Sequence, residues 1–196
     1  MEGLFVDGMV GAGWMTFQSR RFVGAAGDYA LGDRDGQQVF GSVTAGYEYR
    51  SEGLLLSPYA RVNLSYSTLN RFTETGAGLF ALRYGEQSVN TLTSFFGLRA
   101  EYKMPVSWGL VTPRARIEYG HDFDASSRAT IAYADWIGGP EYVLETDPAD
   151  RDFLVVGLGA DVAFDGSWTL GVDYRTSFGQ SAEQQHLLQL KAGTRF

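Results

Sequence analysis

The final segment of the chain, His186–Phe196 with the sequence HLLQLKAGTRF, decides the fold class, because its side chains sort by alternate positions. Leu188, Leu190, Ala192, Thr194 and Phe196 fall on one face, and Gln189, Lys191, Gly193 and Arg195 on the other. A repeat of two belongs to a β-strand, whereas a helix returns to the same face about every 3.6 residues. The preceding segment, WTLGVDYRTSF, divides in the same way. Trp168, Leu170, Val172, Tyr174 and Phe178 oppose Thr169, Gly171, Asp173, Arg175 and Ser177.

Working back along the chain, the split returns six more times. Val156, Leu158, Ala160, Val162 and Phe164 oppose Gly157, Gly159 and Asp161; Ala115, Ile117 and Tyr119 oppose Arg114, Arg116 and Glu118. Phe96, Leu98, Ala100 and Tyr102 oppose Gly97, Arg99 and Glu101; Pro58, Ala60, Val62, Leu64 and Tyr66 oppose Tyr59, Arg61, Asn63 and Ser65. Val43, Ala45, Tyr47 and Tyr49 oppose Thr44, Gly46, Glu48 and Arg50. The weakest segment sets Val6, Val10, Ala12 and Trp14 against Asp7, Gly11 and Gly13. The pattern predicts an all-β chain of about eight strands and no helix.

Alternation alone fits a sandwich or a barrel, and the connections separate the two. Ser51–Leu55, Met104–Gly109 and Asp165–Ser167 read as tight turns. Arg20–Asp35, about Ser67–Gln87 and Asp122–Arg151 read as long polar loops, with a modest link at Gly179–Gln185. Strict alternation of short and long connections is the habit of antiparallel up-and-down transmembrane β-barrels. Aromatic residues fall at the two ends of the apolar faces. Tyr49, Tyr102, Trp108, Phe164, Trp168 and Phe196 lie beside the short turns, and Trp14, Tyr66, Tyr119 and Phe178 toward the long loops, as expected of two interfacial girdles. A hairpin repeat supports the pattern: Glu48-Tyr49-Arg50 followed by Ser57-Pro58-Tyr59-Ala60-Arg61 returns as Glu101-Tyr102-Lys103 followed by Thr112-Pro113-Arg114-Ala115-Arg116. Each Pro is expected at the first position of its strand.

Composition excludes several functions. Sixteen Lys plus Arg against 23 Asp plus Glu leave a net charge of -7, which argues against nucleic acid as a partner. The absence of Cys removes disulfides, thiolate metal sites and a Cys nucleophile. No apolar run reaches the roughly 18 residues of a membrane-spanning helix. The opening MEGLFVDG has neither the basic nor the apolar region of a signal peptide, so a chain working outside the cytoplasm would lack its front.

Four stretches together resemble the translocator β-domain of Gram-negative autotransporters, the type V secretion systems. They are GLFVDGMVGAGWMTFQSRRF from Gly3, LLLSPYARVNLSY from Leu54, LVTPRARIEYGHDF from Leu110, and the C-terminal strand ending in Phe196. The resemblance covers nearly the whole chain. It implies a bacterial outer-membrane location, with outer-membrane lipid, the barrel-assembly machinery and a passenger polypeptide in cis as partners. It also implies an assembly signal in the last strand, carried by Leu188, Leu190, Ala192 and Phe196. The family's domain typically has twelve strands with a helix threading the lumen. Residues 1–196 are accordingly expected to form one outer-membrane barrel domain, the C-terminal part of a twelve-stranded barrel truncated on its N-terminal side. On this reading the lumen-facing residues are Glu48, Arg50, Arg61, Arg99, Glu101, Arg114, Arg116, Glu118, Asp161, Asp173 and Arg175.

Two other readings stay open: a free-standing small barrel with structural or adhesive loops, and an outer-membrane hydrolase. The latter rests on His121 in Gly120-His121-Asp122-Phe123-Asp124, where carboxylates flank an imidazole that can activate water. The chain also holds His186, at the start of the last strand, and no Ser with an evident base partner. The groups Gly157/Gly159 and Gly8/Gly11/Gly13 precede no helix. They read as room for bulky lumen neighbours rather than as phosphate loops. The acidic run Glu145, Asp147, Asp150 and Asp152 is interrupted by Pro148 and lacks the calcium-loop pattern. The sequence calls for no catalytic residue, cofactor or metal.

Overall fold

The computed structural model describes residues 3–124, 127–146, 151–179 and 185–194. Eight strands form one antiparallel sheet in sequence order: β1 (Gly3–Val23), β2 (Asp28–Ser51), β3 (Leu54–Leu69), β4 (Gln87–Tyr102), β5 (Gly109–Asp124), β6 (Asp152–Phe164), β7 (Trp168–Phe178) and β8 (His186–Thr194). Each pairs with its sequence neighbours, so the topology is a simple meander. Among the described residues the sole helical element is the 3-10 turn Gly78–Phe80.

Among the described residues, every apolar set read from the sequence lies on one face of this sheet. Val10 and Trp14 are 83% and 84% exposed, and Leu188 and Leu190 are 65% and 76% exposed, values far above those of a soluble core. The opposite face is concave. One groove of about 320 Å³ is lined by Arg61 of β3, Phe95 of β4, Glu118 of β5, Phe153 of β6, Arg175 of β7 and Leu187 of β8. A flat sheet would spread six strands over about 24 Å, so their side chains meet because the sheet curls. The curl stops short of closure. Among the described residues β1 pairs only with β2, β8 pairs only with β7, and no ladder joins them.

The tight turns fall where expected. Between β2 and β3 the chain reverses through Glu52 and Gly53, both with positive φ (45° and 87°), the conformation that fits the twist of a hairpin. The first long connection is different. Arg20–Asp35 is not a loop, because the β1–β2 ladder runs on to the pair Val23↔Asp28 and turns through Gly24–Gly27. The two remaining loops also contain strands. Phe72–Thr73 pairs with Leu82–Tyr84, which pairs with Ser127–Tyr133, which in turn pairs with Tyr142–Thr146. The bridge Leu31↔Thr75 ties this outer sheet to the ribbon.

Arg21 fastens the junction. Its guanidinium donates to Glu74 Oε2 at 2.6 Å and Oε1 at 3.1 Å, and to the Phe80 carbonyl at 2.9 Å, while the Leu82 N–H donates to the same carboxylate at 2.8 Å. Val23, Ala30 and Ala77 pack beside it as a small core. Burial pushes the Glu74 carboxyl up, but the Arg21 and Leu82 donors outweigh that push and hold it below its usual range.

The two Pro residues sit inside their strands rather than at the first position, since β3 begins at Leu54 and β5 at Gly109. The β2–β3 ladder breaks opposite Pro58, between the pairs Gly46↔Tyr59 and Tyr49↔Leu56. The β4–β5 ladder ends at Glu101↔Arg114 and resumes, in the same register, at Met104↔Val111. A missing N–H opens a gap in one ladder of each strand and leaves the register intact.

Candidate functional site

The charged set read from the sequence gathers on the concave face, where curvature brings together strands that do not touch along their backbones. Toward the short-turn end, Glu48 of β2 receives Arg50 at 2.6 Å from its own strand and Arg99 of β4 at 2.8 Å, across the whole width of β3. Arg99 also lies 3.7 Å from Glu101. Beside them Arg114 of β5 reaches Asp161 of β6 and Asp173 of β7, each at 3.0 Å, and Lys191 of β8 closes on Asp173 at 2.8 Å. Lys191, on the polar side of the last strand, thus meets a carboxylate; Arg195 and Phe196 lie outside the described residues.

Further toward the long-loop end, Glu118 is 1% exposed and accepts from three directions. The Tyr59 hydroxyl donates to Oε1 at 2.8 Å, Arg61 stands at 2.9 Å from the same oxygen, and Arg116 lies 3.5 Å from Oε2. The Arg61 guanidinium also stacks 4.3 Å from the centre of the Phe95 ring. A buried carboxylate is tolerated only when its lone pairs are filled, and these donors fill them.

A second device shapes this face. Tyr59, Gly97 and Glu118 stand in register on β3, β4 and β5, and the Tyr59 ring lies over Gly97 on its way to Glu118. A Cβ added at Gly97 would meet the ring at 2.5 Å. The same arrangement recurs in the directly opposed pairs Phe5/Gly46, Phe40/Gly11 and Phe153/Gly120. Room for bulky neighbours is thus real at Gly11, and at Gly159 for Asp173, but a Cβ at Gly13 would meet nothing.

Sequence reasoning left Tyr59, Gly97, Phe95 and Phe153 out of the site. Tyr59 was visible on the polar side of its strand, but its alignment with Gly97 and Glu118 depends on the register of two ladders. The terminal strand carries Leu188, Leu190 and Ala192 on the convex face. His121 lies on that convex side too, its Nδ1 at 2.7 Å from Asp152 Oδ1 and its ring edge-on to Phe123. Asp152 is also bound by the Tyr119 hydroxyl at 2.5 Å. His186 is similarly engaged, its Nδ1 at 2.8 Å from the Tyr174 hydroxyl. Among the described residues no group of three His, Asp or Glu is placed to hold a metal ion.

Two comparisons bear on the chain. No curated protein matches it. A family model described as "Autotransporter beta-domain" matches residues 1–175, which takes in β1 to β6 and most of β7 and stops short of β8.

Proposed function

The chain belongs to the autotransporter beta-domain family of Gram-negative outer-membrane β-barrels, and from this premise we propose that it anchors a passenger polypeptide, fused on its N-terminal side, and supports that passenger's secretion. The observation that carries the proposal is the division of one curled sheet into a charged concave face and an apolar convex face. An outer-membrane barrel requires this division, with polar residues inward and apolar residues in lipid. On this reading Glu48, Arg50, Arg61, Arg99, Glu101, Arg114, Arg116, Glu118, Asp161, Asp173 and Arg175 line the lumen. The convex face meets outer-membrane lipid. Leu188, Leu190, Ala192 and Phe196 form the signal that the barrel-assembly machinery reads.

The open edges favour a translocator over a free-standing small barrel. An unpaired backbone group in hydrocarbon costs several kcal/mol, so β1 and β8 must each gain a partner in the membrane. Four further strands between them would complete the family's twelve and widen the bore. An eight-stranded closure leaves an interior filled by side chains, with no passage for a polypeptide.

The test is surface display of the full-length protein. An epitope placed in the passenger, N-terminal to the barrel, is expected to be cleaved by protease added to intact cells. An epitope that becomes accessible only after the outer membrane is broken contradicts the proposal.

A further inference from the structure

The guanidinium groups around Glu118 outnumber the carboxylates that face them. Arg61, Arg116 and Arg175 all act on this one carboxylate, and Arg175 also feels the like charges of Arg61 and Arg116. Arg61 pairs with Glu118 through one terminal nitrogen at 2.9 Å and Arg116 weakly at 3.5 Å, while Arg175 makes no ion pair among the described residues. Arg61 Nε and Ser177 Oγ, on residues that line the same groove from β3 and β7, are buried without a hydrogen-bond partner among the described residues. Three cations around one anion is an unstable arrangement in a confined space unless further negative charge enters it.

The rest of the groove mixes neutral polar residues, Asn63, Thr176, Ser177 and Gln185, with an apolar group. Phe95 and Phe153 meet edge to face at 5.6 Å, and Val155 and Leu187 add apolar surface beside the charged groups, Val155 across the ladder from Glu118 and Leu187 across from Arg175. A volume of about 320 Å³ suits one or two side chains. The groove opens at the level of Tyr119 and Phe178, aromatic residues on the long-loop side of the apolar band.

We propose that this groove is a seat for an acidic side chain, with an apolar neighbour, of the secreted polypeptide as it lies in the barrel. The carboxylate pairs with Arg175 and Arg116, where a planar guanidinium offers two parallel donors, and the apolar neighbour packs on Phe95, Phe153 and Leu187. The proposal rests on the translocator reading and adds a place and a chemistry to it. It predicts that the polypeptide is held at the outer mouth of the lumen by charge and not only by confinement.

The experiment uses the full-length protein in the outer membrane, with a photo-crosslinking residue at Leu187 and, in a second variant, at Asn63. Both positions line the groove, and neither carries its charge. Irradiation followed by peptide mapping is expected to join each position to a passenger-side segment that carries Asp or Glu within three or four residues. Arg175→Gln should lower the yield about tenfold, the size of one lost charge-assisted hydrogen bond, and Arg175→Lys should restore part of it. Heat-modifiable migration on gels confirms that each variant is folded. Crosslinks to a segment without nearby acid, a yield indifferent to Arg175, or no polypeptide crosslink in folded protein would each overturn the seat. Surface display in the same cells tests the translocator reading separately: passenger retained inside cells that still give the acid-dependent crosslink would sink that reading and leave the seat standing.

Discussion

Glu118 shows how one residue can tie a curled sheet together. It is buried on β5, yet it is held by Tyr59 and Arg61 from β3, so its loss releases contacts across β4. Glu118→Gln keeps the volume and removes the charge, leaving Arg61, Arg116 and Arg175 to repel one another. The expected cost is about 3–5 kcal/mol, as for other buried pairs broken from one side, read as a lowered urea midpoint of the folded protein in micelles. An unchanged midpoint would mean that water already screens the site. Gly97→Ala tests the aromatic cover, since the new methyl meets the Tyr59 ring; about 1–3 kcal/mol of destabilisation is expected. That penalty should largely vanish in a Tyr59→Ala background, a coupling that a double-mutant cycle measures. The faces of these residues were legible in the sequence because alternation assigns a side to every position. Their partners were not, because a side chain two strands away is found only once two registers and a curvature are known.

At the scale of elements, the sequence was most readable where lipid acts on it. Within the apolar band one face must be hydrophobic, so period two stands out in all eight segments. Beyond the band that pressure ends. Gln18, Ser19, Arg20, Arg21, Asp33, Arg34 and Asp35 are polar on both sides of the β1–β2 ribbon, and a ladder lined with polar residues looks like a loop. What holds the ribbon is specific contact. Arg34 donates to the carbonyls of Asn70 at 2.8 Å and Gly85 at 3.0 Å, and Arg21 clamps Glu74. The Glu74 carboxyl is held below the ordinary glutamate range, so the clamp contributes its full stability above that range and loses it as pH falls through the depressed folded value. Limited proteolysis at Gly24–Gly27 should therefore be slow at neutral pH and accelerate in acid below about pH 4.5. Glu74→Gln should cleave quickly at every pH; a wild-type ribbon equally resistant at pH 3 and pH 7 would show that the clamp does not govern it.

At the scale of the whole molecule, an open sheet in a membrane demands completion. In the full-length protein the amides of Gly3–Val23 within the apolar band should exchange as slowly as those of Leu54–Leu69, because both would be paired on two sides. Exchange within seconds along β1 alone would mean that its edge stays open and that no further strands dock there. The account stands or falls on which face meets lipid, and the absence of Cys makes that directly measurable. Single cysteines at Leu158, Val172 and Leu190, and at Gly157, Gly171 and Gln189, can carry a fluorophore in the full-length protein reconstituted into vesicles. The account predicts quenching of the first three by bromine-labelled lipid chains and of the second three by aqueous iodide. Lipid quenching at Gly157, Gly171 and Gln189 with iodide quenching at Leu158, Val172 and Leu190 would contradict it.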